Sequence, residues 1–167
     1  MAGSYKKKSY REKLMDSKDL PFVETIPERM VRTCGEGTLV VPAPLEVDEM
    51  MRKVPAGKVV TVNMIREALA RKHGTTVACP MCTGLFAGIA AHAAAEDAAE
   101  GRRDITPYWR TLKEGGVINE KYPGGVEGQK ELLEKEGHVV MQKGKKLVVS
   151  DFQKNLIDGE TLHPVRQ

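Results

Sequence analysis

The sequence predicts an α+β fold, mostly α with a small β part, built on a helix-turn-helix with a winged-helix-like hairpin behind it. The first observation is periodic. Met64, Ile65, Ala68 and Leu69 recur at spacings of three and four, which gives a helix from a cap at Asn63 to about Lys72 one apolar face. The second is a further helix, capped by Thr83 and running to about Glu100, with Leu85, Phe86, Ile89, Ala90 and Ala93 as its buried stripe. The short connection 75–80 between them suits a helix-turn-helix, although many helical pairs look the same. The third is a hairpin signal: His138-Val-Val-Met141 and Lys146-Leu-Val-Val149 flank a basic tip, Gln142-Lys-Gly-Lys145. After helices, such a hairpin can act as a wing on nucleic acid or as a small capping sheet.

The other elements follow from local signals. Glu24 to Arg32 reads as a short helix begun near Thr25, with Pro27 in its first turn. Thr38 to Val41 is a strand stopped by Pro42, and Pro44 opens a helix through about Lys53. Val117-Ile118 pairs briefly, and Val126 to Lys135 is a helix closed by Gly137. Three regions are expected: a basic extension over 1–36, the helix-turn-helix domain over 37–150, and a tail over 151–167. Within the extension, Lys6, Lys7, Lys8, Arg11, Lys13 and Lys18 face only Glu12 and Asp16, a local charge of +4. Tyr5 and Tyr10 flank the run. Such an arm is drawn to phosphates by counterion release, or is simply a solvated tail.

Composition sets the class. The 167 residues suffice for one domain with a real core, and the net charge is only +3. Cys34, Cys79 and Cys82 are an odd number and do not make a disulfide framework. The longest apolar run, Thr83 to Ala95, contains His92 and is too short to span a bilayer. No leader segment is visible. The expectation is a soluble cytoplasmic protein, nucleoid-associated if it binds DNA, with no membrane partner.

Most chemical motifs are missing. There is no G-x-x-x-x-G-K-[ST] loop and no G-x-G-x-x-G, so no cofactor is expected. Cys79-Pro-Met-Cys82 is a single C-x-x-C. It lacks the further ligands of a zinc site, the strand setting of a redox pair, and the H-x-E of a deaminase. The favoured reading is a turn into a helix with two semi-buried thiols. The second helix also carries Gly84, Ala87, Gly88, Ala91, Ala94 and Ala95, a small-residue face that lets another helix or a DNA groove come close.

The most distinctive stretch is Asp104-Ile-Thr-Pro-Tyr-Trp-Arg-Thr-Leu112. It places Tyr108 and the only Trp, Trp109, between Pro107 and Arg110 in a chain that is 5% aromatic. Pro107 restricts Thr106 and fixes its own φ, so the rings are held stiffly. They suit stacking on a flat partner, or filling the core while Arg110 pairs with a carboxylate.

Five segments in order carry a family resemblance: Val54-Pro-Ala-Gly-Lys-Val59, the helix pair, Pro107-Tyr-Trp-Arg110, Tyr122-Pro-Gly-Gly125 and Leu132-Leu-Glu-Lys-Glu-Gly137. Together they resemble the DNA-binding domain of the alkylguanine-DNA alkyltransferases over about half the chain. In that family a Pro-Cys-His-Arg cysteine takes the alkyl group, activated through the histidine, a water and a glutamate. Tyr108 and Trp109 stand at the cysteine and histidine positions, and only Glu136 remains from the relay. A phenol of pKa near ~10 is a poor nucleophile, and indole accepts no proton. The family's arginine for the extrahelical base falls near Gly84.

The chain thus resembles the alkyltransferase-like proteins, which bind alkylated guanine without repairing it and pass it to excision repair. The resemblance implies a non-catalytic binder of duplex DNA, with excision-repair proteins as partners. It implies DNA contacts at Thr83, Gly84, Ala87, Arg102, Arg103 and Arg110, and a base pocket of Tyr108, Trp109, Tyr122, Gly124, Gly125 and Glu136. The alternatives are an enzyme using Glu136 and Tyr108 as acid and base, and an interaction module whose aromatic pocket captures a peptide.

Overall fold

The structure, a computed structural model, describes residues 6–162. Tyr5 of the basic arm and residues 163–167 of the expected tail lie outside it. Seven helices and seven strands are formed among the described residues: α1 (Tyr10–Met15), β1 (Phe22–Thr25), α2 (Glu28–Cys34), β2 (Thr38–Val41), α3 (Pro44–Arg52), β3 (Val60–Thr61), α4 (Val62–His73), β4 (Val77–Ala78), α5 (Pro80–Ala99), β5 (Thr111–Leu112), α6 (Gly125–Lys135), β6 (Val140–Lys143), β7 (Lys146–Val149) and α7 (Gly159–Leu162). The α+β class expected from the sequence is the one observed.

The sheets are small. β2 lies between β1, antiparallel to it, and β4, parallel to it. β3 and β5 form a parallel pair, and β6 and β7 form the expected hairpin with Lys143 opposite Lys146. Its two-residue turn starts at Gly144, whose φ of 64° is open to glycine without strain.

The helix pair α4 and α5 is joined by a connection that contains β4. Both caps differ from the sequence expectation. Thr61, not Asn63, caps α4, its Oγ1 accepting from the Met64 N–H at 3.3 Å, and Gly74 ends the helix in the left-handed region. Cys79, not Thr83, caps α5, its Sγ accepting from the Cys82 N–H at 3.4 Å. The earlier start puts Thr83 inside the helix, with its hydroxyl donating to the Cys79 carbonyl at 2.7 Å.

α5 is the central beam, packed against α1, α3 and α4. Its buried positions are Thr83, Ala87, Ala90, Ala91, Ala93 and Ala94. The small side chains are the ones that face inward, because three helices must approach one backbone. The expected stripe is thus half right: Ala90 and Ala93 are buried, Phe86 and Ile89 are partly so, and Leu85 stands 61% exposed.

The segment set apart on charge contributes three packed elements, α1, β1 and α2. β1 is an edge of the three-stranded sheet and takes Glu24 and Thr25, so the helix expected over Glu24 to Arg32 starts later, as α2, with Pro27 at its N-cap. α1 lies along the C-terminal half of α5: Tyr10 stacks on His92 with centroids 4.6 Å apart, and Glu96 accepts from the Tyr10 and Arg11 N–H groups. At the other end of the chain, Asn155 and Ile157 pair with Val59 through backbone hydrogen bonds of 2.9 and 3.0 Å. Among the described residues, no helix is long and apolar enough to cross a membrane.

Candidate nucleic-acid interface

The aromatic stretch is anchored from below before it reaches its rings. Thr106 is buried, and its hydroxyl donates to Asp48 of α3 at 2.5 Å. The other Asp48 oxygen accepts from Arg52 at 3.0 Å. Pro107 then leads into a single 3-10 turn, Tyr108–Arg110.

Tyr108 does not stand in an open pocket. It is 7% exposed, edge-on to Trp109 at 5.3 Å and edge-on to Tyr122 at 6.0 Å. Tyr122 is 2% exposed, and its hydroxyl has no hydrogen-bond partner within the protein. Burial raises both phenols above their ordinary pKa, so neither supplies a phenolate at neutral pH. The ring-filling reading of the sequence is the one the structure takes.

Glu136 is the hub of the polar half. It sits just past α6, before Gly137 with its φ of 92°. It accepts from the Trp109 indole at 3.0 Å and from the Arg110 guanidinium at 2.5 to 3.0 Å. Arg110 also donates to the Val54 carbonyl at 2.7 Å and lies 5.3 Å from the Trp109 ring centroid. Burial pushes the Glu136 carboxyl up, but the hydrogen bonds from Arg110 and Trp109 win and leave it below the ordinary range. Arg110 was expected on DNA; its side chain is 15% exposed and its donors are occupied inside the fold.

Gln129 was not singled out by the sequence, yet it is fully buried and ties the site together. Its amide donates to the Trp109 carbonyl at 3.1 Å, and its oxygen accepts from the Asn119 N–H at 2.9 Å. A polar residue on the inner face of a predicted helix was the available signal. Gly124 and Gly125, with φ of 80° and 65°, turn the chain from Tyr122 into α6 and lend no side chain to a pocket. A Cβ on Gly124 would lie 3.1 Å from the Gly128 Cα.

The expected DNA contacts divide into three groups. Thr83 and Ala87 are 0% and 1% exposed and face the core, so they are not surface contacts. Gly84 is exposed beside Leu85 and Met81, the last 82% exposed, on the first turns of α5. Arg102 and Arg103 are exposed beyond the far end of α5, and Arg102 lies 3.7 Å from Asp97. Gly84 and Ala99 are separated by about 22 Å at ~1.5 Å per residue, so these groups do not form one contact patch. Arg11 of the arm lies at the arginine end, paired to Asp97.

Cys79 and Cys82 form the helix-capping turn already described. Burial first, and then contact with Cys79, push the Cys82 thiol up to about 11. Cys82 is a poor nucleophile in this setting. Among the described residues, no group of His, Cys, Asp and Glu is arranged to hold a metal ion.

No family model and no curated protein matches the chain. Two solved structures do. One is S. pombe ATL in complex with DNA, 22% identical, with a TM-score of 0.50, covering 69% of this chain and 94% of that one. The other is S. pombe Atl1 in complex with damaged DNA containing O6-carboxymethylguanine, 20% identical, with a TM-score of 0.48 and the same coverage. The scaffold that carries the Tyr108–Glu136 site is therefore the alkyltransferase-like fold.

Proposed function

We propose that the protein is a non-catalytic binder of duplex DNA of the alkyltransferase-like kind, acting on alkylated guanine without alkyl transfer. The observation that carries the second half is the closed site. Tyr108, where the resemblance puts the acceptor, is a buried phenol, the neighbouring indole donates to Glu136, and Arg110 holds that carboxylate. No thiolate, and no base to make one, is present there. The same bonds argue against acid-base chemistry by Glu136 and Tyr108, because the carboxylate is ion-paired and the phenol is held protonated.

Support for duplex binding comes from the likeness in fold and from the first turns of α5. There Met81, Gly84 and Leu85 present a low, apolar, uncharged ridge at the exposed end of a helix-turn-helix. Apolar side chains of this kind are common where proteins enter a minor groove. A base would reach Tyr122 only if Tyr108 moved aside. Excision-repair proteins are the partner class that this reading implies.

The test is a gel-shift titration with plain and 6-O-methylguanine duplexes, followed by intact-mass measurement of the protein. The expected result is salt-sensitive binding, several-fold tighter for the alkylated duplex, and a protein mass that stays unchanged. Equal affinity for both duplexes would remove the lesion from the reading. A methylated protein, or no shift at low salt, would overturn it.

A further inference from the structure

A second concave region lies away from both the rings and the α5 ridge. It is a cleft of about 590 Å³ between the 113–120 segment, the start of α6 and the tip of the hairpin. Its volume falls within the roughly 300–1,000 Å³ usual for ligand clefts. The floor is apolar: Val117, Ile118, Val126 and Leu147. The walls are charged and mixed, with Lys113, Lys145 and Lys146 against Glu114 and Glu120. Val117 and Leu147 are held there by the Val117–Val148 bridge and by the Ile118 N–H donating to the Leu147 carbonyl at 2.9 Å.

The charges are available. Lys145 and Lys146 are exposed and make no ion pair among the described residues. Lys113 is paired only to Glu120 at 2.9 Å, and both side chains are well exposed, at 41% and 56%. A pair so wet is worth little and is readily exchanged for another carboxylate. A nucleic-acid backbone fits poorly, because it has no apolar group to bury on the floor. A peptide fits better. It can bury one large side chain on the floor, give carboxylates to the lysines, and give backbone N–H groups to the glutamates.

We propose that this cleft is a docking site for an extended peptide that carries a large apolar side chain flanked by acidic residues. The proposal does not depend on DNA binding. It uses the lysines of the hairpin tip, none of which belongs to the α5 ridge.

The test is an amide-shift titration of the full chain with the capped hexapeptides Asp-Glu-Leu-Phe-Glu-Asp and Asp-Glu-Ile-Leu-Glu-Asp. The expected result is saturable shifts confined to 113–126 and 145–147, with affinity at least tenfold weaker for K145E/K146E. These lysines are exposed, so the variant keeps its melting temperature. A peptide with Ala at both apolar positions, and one with Lys for every acid, should each bind at least tenfold more weakly. The proposal is overturned if neither peptide shifts these amides at about 1 mM. It is equally overturned if the Ala peptide binds as well, or if a DNA duplex gives the same shifts and K145E/K146E abolishes them. Loss of DNA binding elsewhere in the molecule leaves the outcome unaffected.

Discussion

The two functional-looking regions of this chain are opposites. Around Glu136 each guanidinium nitrogen of Arg110 and the Trp109 indole is engaged, and Tyr108 and Tyr122 are shut away from solvent. On the first turns of α5, Met81 and Leu85 stand in solvent beside glycines whose missing Cβ would meet nothing within 4 Å. The first region has become part of the frame, and the second has nothing in the protein to do. Exposed apolar surface and helix-interior glycine both cost stability. Their concentration on one ridge points to an outside partner there, and the closed region points to a structural role for its rings and ion pair.

The contrast is open to breaking, most severely at Tyr108. If that ring is framework, Tyr108→Ala costs about 3–5 kcal/mol, as other buried aromatic deletions do, read by chemical denaturation. A loss under ~1 kcal/mol would mean that the ring sits in a loose pocket. Glu136→Ala is the next largest. Leaving Arg110 and the indole without their acceptor should cost about 2–3 kcal/mol and lower the melting temperature by roughly 4–12 °C. DNA affinity of the folded fraction should stay the same, and a parallel loss would merge the two regions into one site.

Acid sharpens the same contrast. Burial, with Arg110 nearby, lowers the His138 pKa from 6.5 although Glu136 opposes the shift, so the native ring stays neutral where the unfolded one takes a proton. Stability therefore falls as pH drops below about 6.5. A second loss follows below about 4.5, as Glu136, held low in the native state, becomes protonated in both states. Denaturant midpoints between pH 8 and 4, native against His138→Gln, should show the first step only in the native chain. A flat profile down to pH 5 would contradict the burial of His138.

The smallest effect is on the ridge. Gly84→Ala and Gly88→Ala should each raise stability by about 0.5–1 kcal/mol, because the added methyl has room and alanine is the better helix former. The same changes should weaken DNA binding. A gain in stability with no loss of affinity would mean that the glycines serve no partner.

Much of this was legible in the sequence. The hairpin, α3, α4 and α6 follow from periodicity and turn residues, and the ordered segments around Pro107, Tyr122 and Glu136 implied the fold. What could not be read was which face of α5 points inward. Its sequence is almost uniformly small and apolar, so periodicity has no contrast to report. That hid the burial of Thr83 and Ala87 and the exposure of Leu85. The locking of Arg110 was also out of reach, since it depends on two segments 26 residues apart in sequence, as does the support of Thr106 by Asp48, 58 residues away.

The most direct measurement is an anisotropy titration of a labelled duplex with the native chain and with Leu85→Asp, over a series of salt concentrations. The native chain should bind with affinity that falls steeply as salt rises, and the variant at least tenfold more weakly at an unchanged melting temperature, about 1.4 kcal/mol of binding energy or more. Equal binding by both chains, or no binding by the native chain at low salt, would contradict the assignment of the α5 ridge to DNA.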